Sequence, residues 1–288
     1  MNTFIQVLVN GILQSGTYMI TTLGLALAVG VVGILNLAHG EFLMVGAFLS
    51  IIFYTVFGID PLISILIVSL LILLLGIGTY KISLKKVLDS AEVNQLLLTF
   101  GISIILQNIA VLYSGSKEVM VINPPYRDLS WNIEGIGISF SKTLVFIIAL
   151  ILVITLFYIL NNTKVGKSMR AVEQNRYGAY IVGINADRIF KIAFGVSVGL
   201  AGLAGVMLSI ILYATPFIGF NYTLKAFAII MMAGMGNLRG ILWSSLILGI
   251  IESALGTYVP GGTGWSEGIF FFIILIILLV KPEGIFKK

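Results

Sequence analysis

The chain has 288 residues, of which 59% are hydrophobic and only 10% charged, and its mean hydropathy is +1.10. A soluble domain carries about 25% charged residues, so this chain has too few polar side chains to cover a water-exposed surface. The composition excludes a water-soluble enzyme, a disordered chain and a nucleic-acid-binding domain, and it indicates that the net charge of +5 belongs to basic anchors beside a lipid bilayer.

Long apolar runs begin at the N-terminus and predict membrane-crossing helices, each of which needs about 20 mostly apolar residues. No Lys or Arg precedes Lys81, and the first run lacks the basic flank of a signal peptide. We therefore expect this run to remain as the first membrane helix. The predicted helices span residues 5–33, 41–58, 61–81, 94–114, 143–161, 189–213 and 267–281.

Residues 225–257 differ from these runs because three charges divide them and three glycines cluster near their centre. We interpret the region as two short or tilted helices that meet at Gly236–Gly240, since broken helices are tolerated where they are buried in protein or line a cavity. The sequence thus predicts an all-α fold, a polytopic transmembrane helical bundle of eight or nine membrane segments, in a single domain over residues 1–288. The charges are Lys225, Arg239 and Glu252, and the glycines are Gly234, Gly236 and Gly240.

The basic residues between the helices predict the orientation, because cytoplasmic loops carry an excess of Lys and Arg. Six of the 17 basic residues fall between Lys164 and Lys191, and the loop 81–92 is also basic. In the loop 115–142 acidic and basic residues balance, so we expect it outside. Nine crossings then put the N-terminus outside and the C-terminal tail inside. The basic residues of that tail are Lys281, Lys287 and Lys288.

The segment from Asn36 to Glu41 contains the chain's one histidine, His39, and its first charged residue. A His and a Glu in a membrane segment are candidates for a metal or proton site, but they are too few ligands for a dedicated zinc site. The alternative, which we favour, is a helix break. In it, Asn36, His39, Gly40 and Glu41 bond freed backbone groups and start the next helix, where a carboxylate suits the helix dipole.

Residues 167–182 predict a short amphipathic helix on the cytoplasmic side, with Gly183 at its end. Apolar residues in so basic a segment favour a docking helix for a cytoplasmic partner over a solvated loop. Residues 166–168 resemble the end of a P-loop, but Asn161 stands where that motif requires Gly, so we exclude a nucleotide site. The residues expected to act in docking are Lys167, Arg170, Glu173, Arg176 and Gly183.

Small and polar residues within the apolar runs give two further predictions. Gly195, Gly199 and Gly202 recur on one helix face, which favours close packing inside the bundle over a subunit interface. Polar residues in apolar runs are candidates to line a substrate path, although most such groups bond a helix backbone. The candidates are Thr21, Thr22 and Glu252, and Glu252 is equally consistent with an anchor near the membrane surface.

Several motifs together resemble the LivH-type permease family, membrane subunits of branched-chain amino-acid ABC importers in bacteria and archaea. Residues 33–41, Gly-Ile-Leu-Asn-Leu-Ala-His-Gly-Glu, are similar to the family signature I-N-F-A-H-G-E. One departure is Arg239, where many relatives carry a small residue or Pro. The other similar segments follow in the family's order over nearly the whole chain, at residues 166–171, 183–185, 201–206, 216–220, 225–227, 234–236 and 282–286.

This resemblance implies a transport subunit of a bacterial or archaeal cell membrane rather than an enzyme. It implies one permease domain over residues 1–288 with a cytoplasmic coupling segment at 162–188. The implied partners are a second, LivM-type permease, two cytoplasmic ATPases that bind ATP and Mg, and an extracytoplasmic substrate-binding protein. It implies no cofactor or metal in this chain.

The substrates implied are branched-chain or related hydrophobic amino acids, but permeases of the same family also carry urea, amides or other amino acids. A self-sufficient ion-coupled transporter is an alternative of another class. It needs acidic pairs in the membrane for its coupling ion, and the sequence offers only Glu41 and Glu252. A membrane enzyme is disfavoured by the single His and the absence of Cys.

Overall fold

The computed structural model describes residues 2–115, 124–234, 236–281 and 284–286, and in these ranges the backbone is almost entirely helical. Two strands, β1 (Ser130–Ile133) and β2 (Ile136–Ser139), form an antiparallel hairpin. A π-helical turn at Ala28–Val32 follows the first helix, and a 3₁₀ turn at Leu84–Lys86 follows the third. The described α-helices are α1 Asn2–Leu27, α2 His39–Phe57, α3 Pro61–Ile82, α4 Glu92–Ser114, α5 Phe140–Asn162, α6 Lys164–Gln174, α7 Arg176–Ile181, α8 Ala186–Ile211, α9 Ile218–Ala233, α10 Leu238–Tyr258 and α11 Gly262–Val280.

Seven of the described helices are long and apolar enough to cross a membrane. They are α1 with its π-helical turn, α2, α3, α4, α5, α8 and α10. Two shorter apolar helices, α9 and the part of α11 at Gly268–Ile277, fall below the length of a full span, so the described residues contain seven candidate spans where eight or nine were predicted. The prediction of an all-α, polytopic transmembrane bundle is confirmed.

One end of the bundle carries the basic loops. Arg176 of α7 forms an ion pair with Asp89 at 2.6 Å, and Lys85 pairs with Asp187 of α8 at 2.9 Å. The loop after α3 and the segment around α6 and α7 therefore meet, as the Lys and Arg distribution predicts for a cytoplasmic face. We call this the inner end.

The opposite, outer end carries the hairpin and the start of α1. The side chain of Gln6 donates to the carbonyl of Gly137 and accepts its backbone N–H, both at 2.8 Å. Tyr126 donates to Asp60, at the start of α3, and burial together with this carboxylate raises the pKa of Tyr126. Residues 116–123 of the loop predicted to lie outside, and the basic pair 287–288 of the predicted tail, are outside the described residues.

Helices α1 and α8 form the centre of the bundle. In the most apolar stretches of α1 and α8, 89% and 83% of the residues are buried. The corresponding shares in α3, α4 and α5 are 22%, 17% and 22%. A helix that is apolar on all sides but buried on only one presents its remaining surface to lipid. The central helices instead carry small residues, which let several neighbours approach closely at once.

The predicted glycine face of α8 lies against α3 and α2. A methyl group added at Gly195, Gly199 or Gly202 would come within 2.7, 3.0 and 2.7 Å of α3 side chains. One added at Gly205 would overlap the carbonyl oxygen of Leu43 in α2. These glycines therefore contact helices of this same chain. The α3 side chains they meet are Ile77, Leu73 and Ile72.

The prediction for residues 225–257 is wrong in the extent of both helices. α9 already begins at Ile218, and α10 has 21 residues, so it is a full-length helix rather than a short piece. α9 ends at Ala233 and α10 begins at Leu238, so the helices meet slightly before the predicted Gly236–Gly240. Gly234 and Gly236 between them adopt φ of 82° and 79°. Charged residues did not end these helices, because their side chains find partners in neighbouring helices.

The single amphipathic helix predicted over 167–182 is also wrong, because the structure has two helices, α6 and α7. Between them Asn175 is extended, with φ −157° and ψ 101°, and its side chain accepts a backbone N–H from the first turn of α7. Asn competes in this way with the backbone bonds of a continuous helix. Met169 and Val172 are each 3% exposed, whereas Tyr180 is 74% exposed, so the buried apolar face ends with α6.

Replacing Gly205 with Ala is expected to destabilise the bundle, because the added methyl group overlaps the carbonyl of Leu43. Overpacking of a close-packed interior costs about 1–3 kcal/mol. The matched control is Gly101→Ala in α4, where no described atom lies within 4 Å of the added group. Thermal unfolding of the two purified variants in detergent measures the difference, and equal midpoints would contradict the expectation.

Candidate functional sites

The chain after α1 turns back inside the bundle and starts α2 at a buried position. Gly33 follows the π-helical turn with φ 77°, and the side chain of Asn36 accepts the backbone N–H of Ala38 at 3.1 Å. Asn36 and His39 are 1% and 0% exposed. The break therefore lies within protein, which is the setting in which interrupted membrane helices are tolerated.

Helix α9 begins at the same place as α2. The backbone N–H of Gly40 donates to the hydroxyl of Thr223 at 2.8 Å, and that hydroxyl donates to the carbonyl of Gly219 at 3.1 Å. The two backbones touch, since a methyl group on Gly40 would overlap the Gly219 carbonyl. From here α2 runs to the outer end and α9 to the inner end. We call this meeting of two N-termini the helix junction, and its residues are Asn36, His39, Gly40, Glu41, Gly219 and Thr223.

Glu41 lies between the two N-termini. It occupies the first turn of α2, is 0% exposed, and accepts a hydrogen bond from the hydroxyl of Ser103 in α4 at 3.2 Å. A methyl group on Gly219 would lie 2.6 Å from its second oxygen, so the carboxylate also faces the first turn of α9. Because a helix N-terminus carries partial positive charge, both helices stabilise a carboxylate at this point.

His39 and the two candidate threonines lie beside the junction. Nε2 of His39 donates to the carbonyl of Thr21 at 3.0 Å, and the hydroxyl of Thr21 donates to the carbonyl of Thr17 at 2.9 Å. Thr22 is also buried. The structure thus places both threonines in the protein interior. In the described ranges, no three His, Asp or Glu side chains come together in a way that would hold a metal ion.

An ion pair between Lys225 and Glu252 joins α9 and α10, and the sequence analysis named both residues without predicting that they pair. The ammonium of Lys225 lies 2.8 Å from the carboxylate of Glu252, and the two side chains are only 13% and 20% exposed. The ammonium also donates to the hydroxyl of Tyr18 at 3.2 Å. The rings of Tyr18, Tyr222 and Phe270 lie 5.2 to 5.8 Å from it, close enough for cation–π attraction. The sequence contained one signal for this pair, because Lys225 and Glu252 have opposite charges and lie in two successive apolar segments.

Helix α6 packs under the inner end of the bundle. Met169 and Val172 point into the core. Glu173 faces the turn between α9 and α10, since a methyl group on Gly236 would lie 3.2 Å from its carboxylate. Partial burial raises the pKa of Glu173, and the neighbouring Arg170 opposes this shift. α6 therefore connects the basic surface with the end of α1 and with the α9–α10 turn.

The other residues predicted to act in docking lie at the surface. Arg170 donates to Asn161 at 2.9 Å and Arg176 pairs with Asp89, so both guanidinium groups are engaged within this chain. Lys167 is exposed, and Gly183 adopts φ 80° just after α7. Within residues 162–188, the most exposed apolar side chains lie in and just after α7, where they are 68% to 75% exposed. They are Tyr177, Tyr180, Ile181 and Val182.

These features define a class of protein. A multi-pass helical bundle that holds two interrupted helices at a buried junction, with an amphipathic element at its basic end, has the build of a membrane permease. The chain belongs to the family described as "Branched-chain amino acid transport system / permease component", which it matches over residues 7–279. This family consists of transport subunits rather than enzymes, and the resemblance to LivH-type permeases is confirmed.

Relatives match the chain along almost its whole length. It is 29% identical to the high-affinity branched-chain amino acid transport system permease protein LivH of Salmonella typhimurium strain LT2, over 99% of this chain and 96% of the relative. It is 28% identical to BraD of Pseudomonas aeruginosa, with the same coverage. It is 29% identical to the probable permease LivH of Methanocaldococcus jannaschii, over 97% of this chain and 91% of the relative. No solved structure matches the chain significantly.

Replacing Ser103 with Ala is expected to destabilise the helix junction, because the carboxylate of Glu41 loses its hydroxyl donor in a buried place. Leaving a buried group without its hydrogen bond costs about 1–3 kcal/mol. The control is Ser69→Ala in α3, since the Ser69 hydroxyl bonds to the Leu66 carbonyl of its own helix. Thermal unfolding in detergent checks this, and a Ser103→Ala midpoint no lower than that of the control would refute it.

Removing one charge of the Lys225–Glu252 pair is expected to lower the free energy of unfolding more than removing both charges. Removing one partner of a buried ion pair costs about 3–5 kcal/mol, whereas replacing both by apolar groups is often neutral. Lys225→Met and Glu252→Met should therefore each lower the unfolding midpoint, and the double variant should recover most of the loss.

The exposed pair of Lys85 and Asp187 provides the control, since its side chains are 54% and 47% exposed. Exposed pairs contribute only about 0–1 kcal/mol. Asp187→Asn keeps an oxygen that can accept from the hydroxyl of Tyr80, so it and Lys85→Met should change the midpoint little. A double-mutant cycle for each pair measures the two coupling energies. Equal coupling energies for the two pairs would contradict this account.

Proposed function

We propose that this chain is a membrane-spanning permease subunit of an ATP-binding-cassette importer that moves branched-chain or related hydrophobic amino acids into the cytoplasm. The observation that carries the proposal is the helix junction. Two helices of opposite direction start at one buried point, where a single hydroxyl, that of Thr223, bonds to both backbones. Interrupted helices of this kind supply the alternative arrangements that alternating access requires. Membership of the permease family supports the same class.

In this proposal the mechanical force enters through residues 162–188. α6 is buried on one face and lies against the α9–α10 turn through Glu173, so a displacement of α6 reaches two membrane helices directly. ATP and Mg are assigned to two cytoplasmic ATPases that dock at the inner end. A second permease of the LivM type completes the membrane portion, and an extracytoplasmic binding protein delivers the substrate to the outer end.

The substrate is assigned from the names of the relatives, which are branched-chain amino acid permeases. Urea, amides or other amino acids are the alternative substrates within the same class. An ion-coupled transporter remains the alternative of a different class, and the acids within the bundle are the observation that favours it. Glu41 accepts from Ser103 and Glu252 pairs with Lys225, so each carboxylate has a partner in this chain without a coupling ion. The second oxygen of Glu41 accepts no hydrogen bond within the described residues.

Reconstitution distinguishes these functions. The chain is produced together with a second permease, two ATPases and a binding protein from its own organism, and is placed in proteoliposomes with ATP on the cytoplasmic side. The proposal expects uptake of labelled leucine that stops when ATP is omitted, and little uptake of labelled urea. Uptake by this chain alone under a proton or sodium gradient, without any ATPase, would overturn it.

Replacing Tyr180 with Ser is expected to weaken docking of the ATPases, because this side chain is 74% exposed beside α6 at the inner end. A central interface Tyr contributes about 2 kcal/mol or more, so the affinity should fall at least about tenfold. The control is Tyr258→Ser at the outer end, where Tyr258 is 56% exposed. ATPase binding to the purified permease pair in nanodiscs is the measurement, and equal affinities for the two variants would rule out docking at α7.

A further inference from the structure

The inner end contains a cleft of about 230 Å³ between α6, the ends of α1 and α5, and the start of α10. Its wall is apolar where α1 and α5 form it, with Leu27, Val31 and Leu160 among the lining side chains. Its rim is charged, with Arg170 and Glu173 on α6 opposite Arg239 on α10. The packing of the bundle does not require charges of both signs around one apolar hollow.

Two charged groups of this cleft, Glu173 and Arg239, have unused bonding capacity. Within the described residues, the carboxylate of Glu173 accepts no hydrogen bond, and its side chain is exposed to the cleft beside Arg170. The guanidinium of Arg239 lies over the ring of Phe157 at 5.3 Å and makes no ion pair with any described acid. The cleft therefore offers an acceptor for a cation on one side and a donor for an anion on the other.

We propose that this cleft is a binding site for a free hydrophobic α-amino acid on the cytoplasmic side. The carboxylate of the ligand pairs with Arg239, its ammonium pairs with Glu173, and its aliphatic side chain lies on Leu27, Val31 and Leu160. Guanidinium groups bind carboxylates through paired N–H donors. Arg170 also lies on the rim but already donates to Asn161, so Arg239 and Glu173 are the groups left to bind a ligand. A purely anionic ligand such as phosphate leaves the carboxylate of Glu173 unpaired, whereas a zwitterion pairs with both groups.

The size of the cleft agrees with this ligand. Drug-sized ligands occupy larger pockets of about 300–1,000 Å³. The cleft thus suits a small ligand with one apolar side chain.

The position of the cleft gives the bound amino acid a regulatory effect. A ligand held by Glu173 of α6 and Arg239 of α10 links the segment proposed to receive force to the α9–α10 turn. It then opposes relative movement of these elements, so accumulated amino acid slows further import. This regulatory effect rests on the proposed function, whereas the binding itself does not.

The test is equilibrium binding of labelled L-leucine to the purified permease–ATPase complex without the binding protein. Two probes each lack one charge, namely 4-methylpentanoate without the ammonium and isoamylamine without the carboxylate, and inorganic phosphate is the third. Loss of one charge-assisted hydrogen bond costs enough that leucine should bind at least about tenfold more tightly than either partial ligand. Tighter binding of phosphate than of leucine would overturn the assignment.

Two variants locate the site. Glu173→Gln and Arg239→Gln should each weaken leucine binding at least about tenfold, and Glu173→Gln should also reduce the preference for leucine over 4-methylpentanoate. The controls are Glu92→Gln and Lys86→Gln, which remove exposed charges at the same end outside the cleft. If one variant does not fold, the other decides the question. Leucine binding that is unchanged in a folded cleft variant would overturn the proposal.

Import assays then separate this inference from the proposed function. Leucine enclosed on the cytoplasmic side of proteoliposomes should lower the initial ATP-driven import rate at least about fivefold, as expected for a typical allosteric coupling, and Arg239→Gln should relieve the inhibition. If import proceeds but no leucine binds without the binding protein, the proposed function stands and this inference fails. If leucine binds but no amino acid is imported, the site stands and the proposed function fails.

Discussion

The meeting of two helix N-termini at Glu41 is the contact on which the rest of the bundle depends. In a bilayer, a backbone N–H that leaves a helix has no water to bond, and each unsatisfied group costs several kcal/mol. Two helices that begin inside the protein therefore need donors and acceptors supplied by their neighbours. Here Thr223 serves the backbones of both helices, and the carboxylate of Glu41 faces the positive ends of both.

This junction explains why the centre of the bundle is rich in small residues. Gly40 and Gly219 allow the two backbones to touch, and a side chain at either position would separate the helices. The same requirement recurs where α8 meets α2 and α3, at Gly202 and Gly205. Dispersion contacts between closely packed helices take the place of the hydrophobic effect, which does not drive association within lipid.

The inner end shows how a basic surface is joined to this interior. α6 buries Met169 and Val172, while its charged residues remain at the rim of a cleft beside the α9–α10 turn. Asn175 interrupts the helix, so that α7 presents apolar side chains to the solvent instead of burying them. One short segment thus has a face in the core and a face available to partners, which is the property expected of an element that transmits movement.

The sequence predicted the class of fold and the ends of most helices, because hydropathy and charge are local properties. Apolar runs gave α3, α4 and α5 to within a few residues, and basic loops gave the inner end. It failed where a charged or polar residue lies within a helix. Lys225 and Glu252 were interpreted as breaks, whereas in the structure each charge is accommodated by the other and by aromatic rings.

The candidate sites show the same difference between features that are local in the sequence and contacts that join distant residues. The motif from Asn36 to Glu41 is readable in the chain, as is the basic segment 162–188, and both predict where an interruption and a docking element lie. The start of α9 at the same buried point is not readable, because the contact of Gly40 with Thr223 joins residues 183 positions apart. By itself the sequence determined a polytopic membrane bundle and its family resemblance, and it predicted an orientation from the basic loops. Only the tertiary structure decided which buried groups meet, because such partners are selected by three-dimensional packing and leave no periodic pattern along the chain.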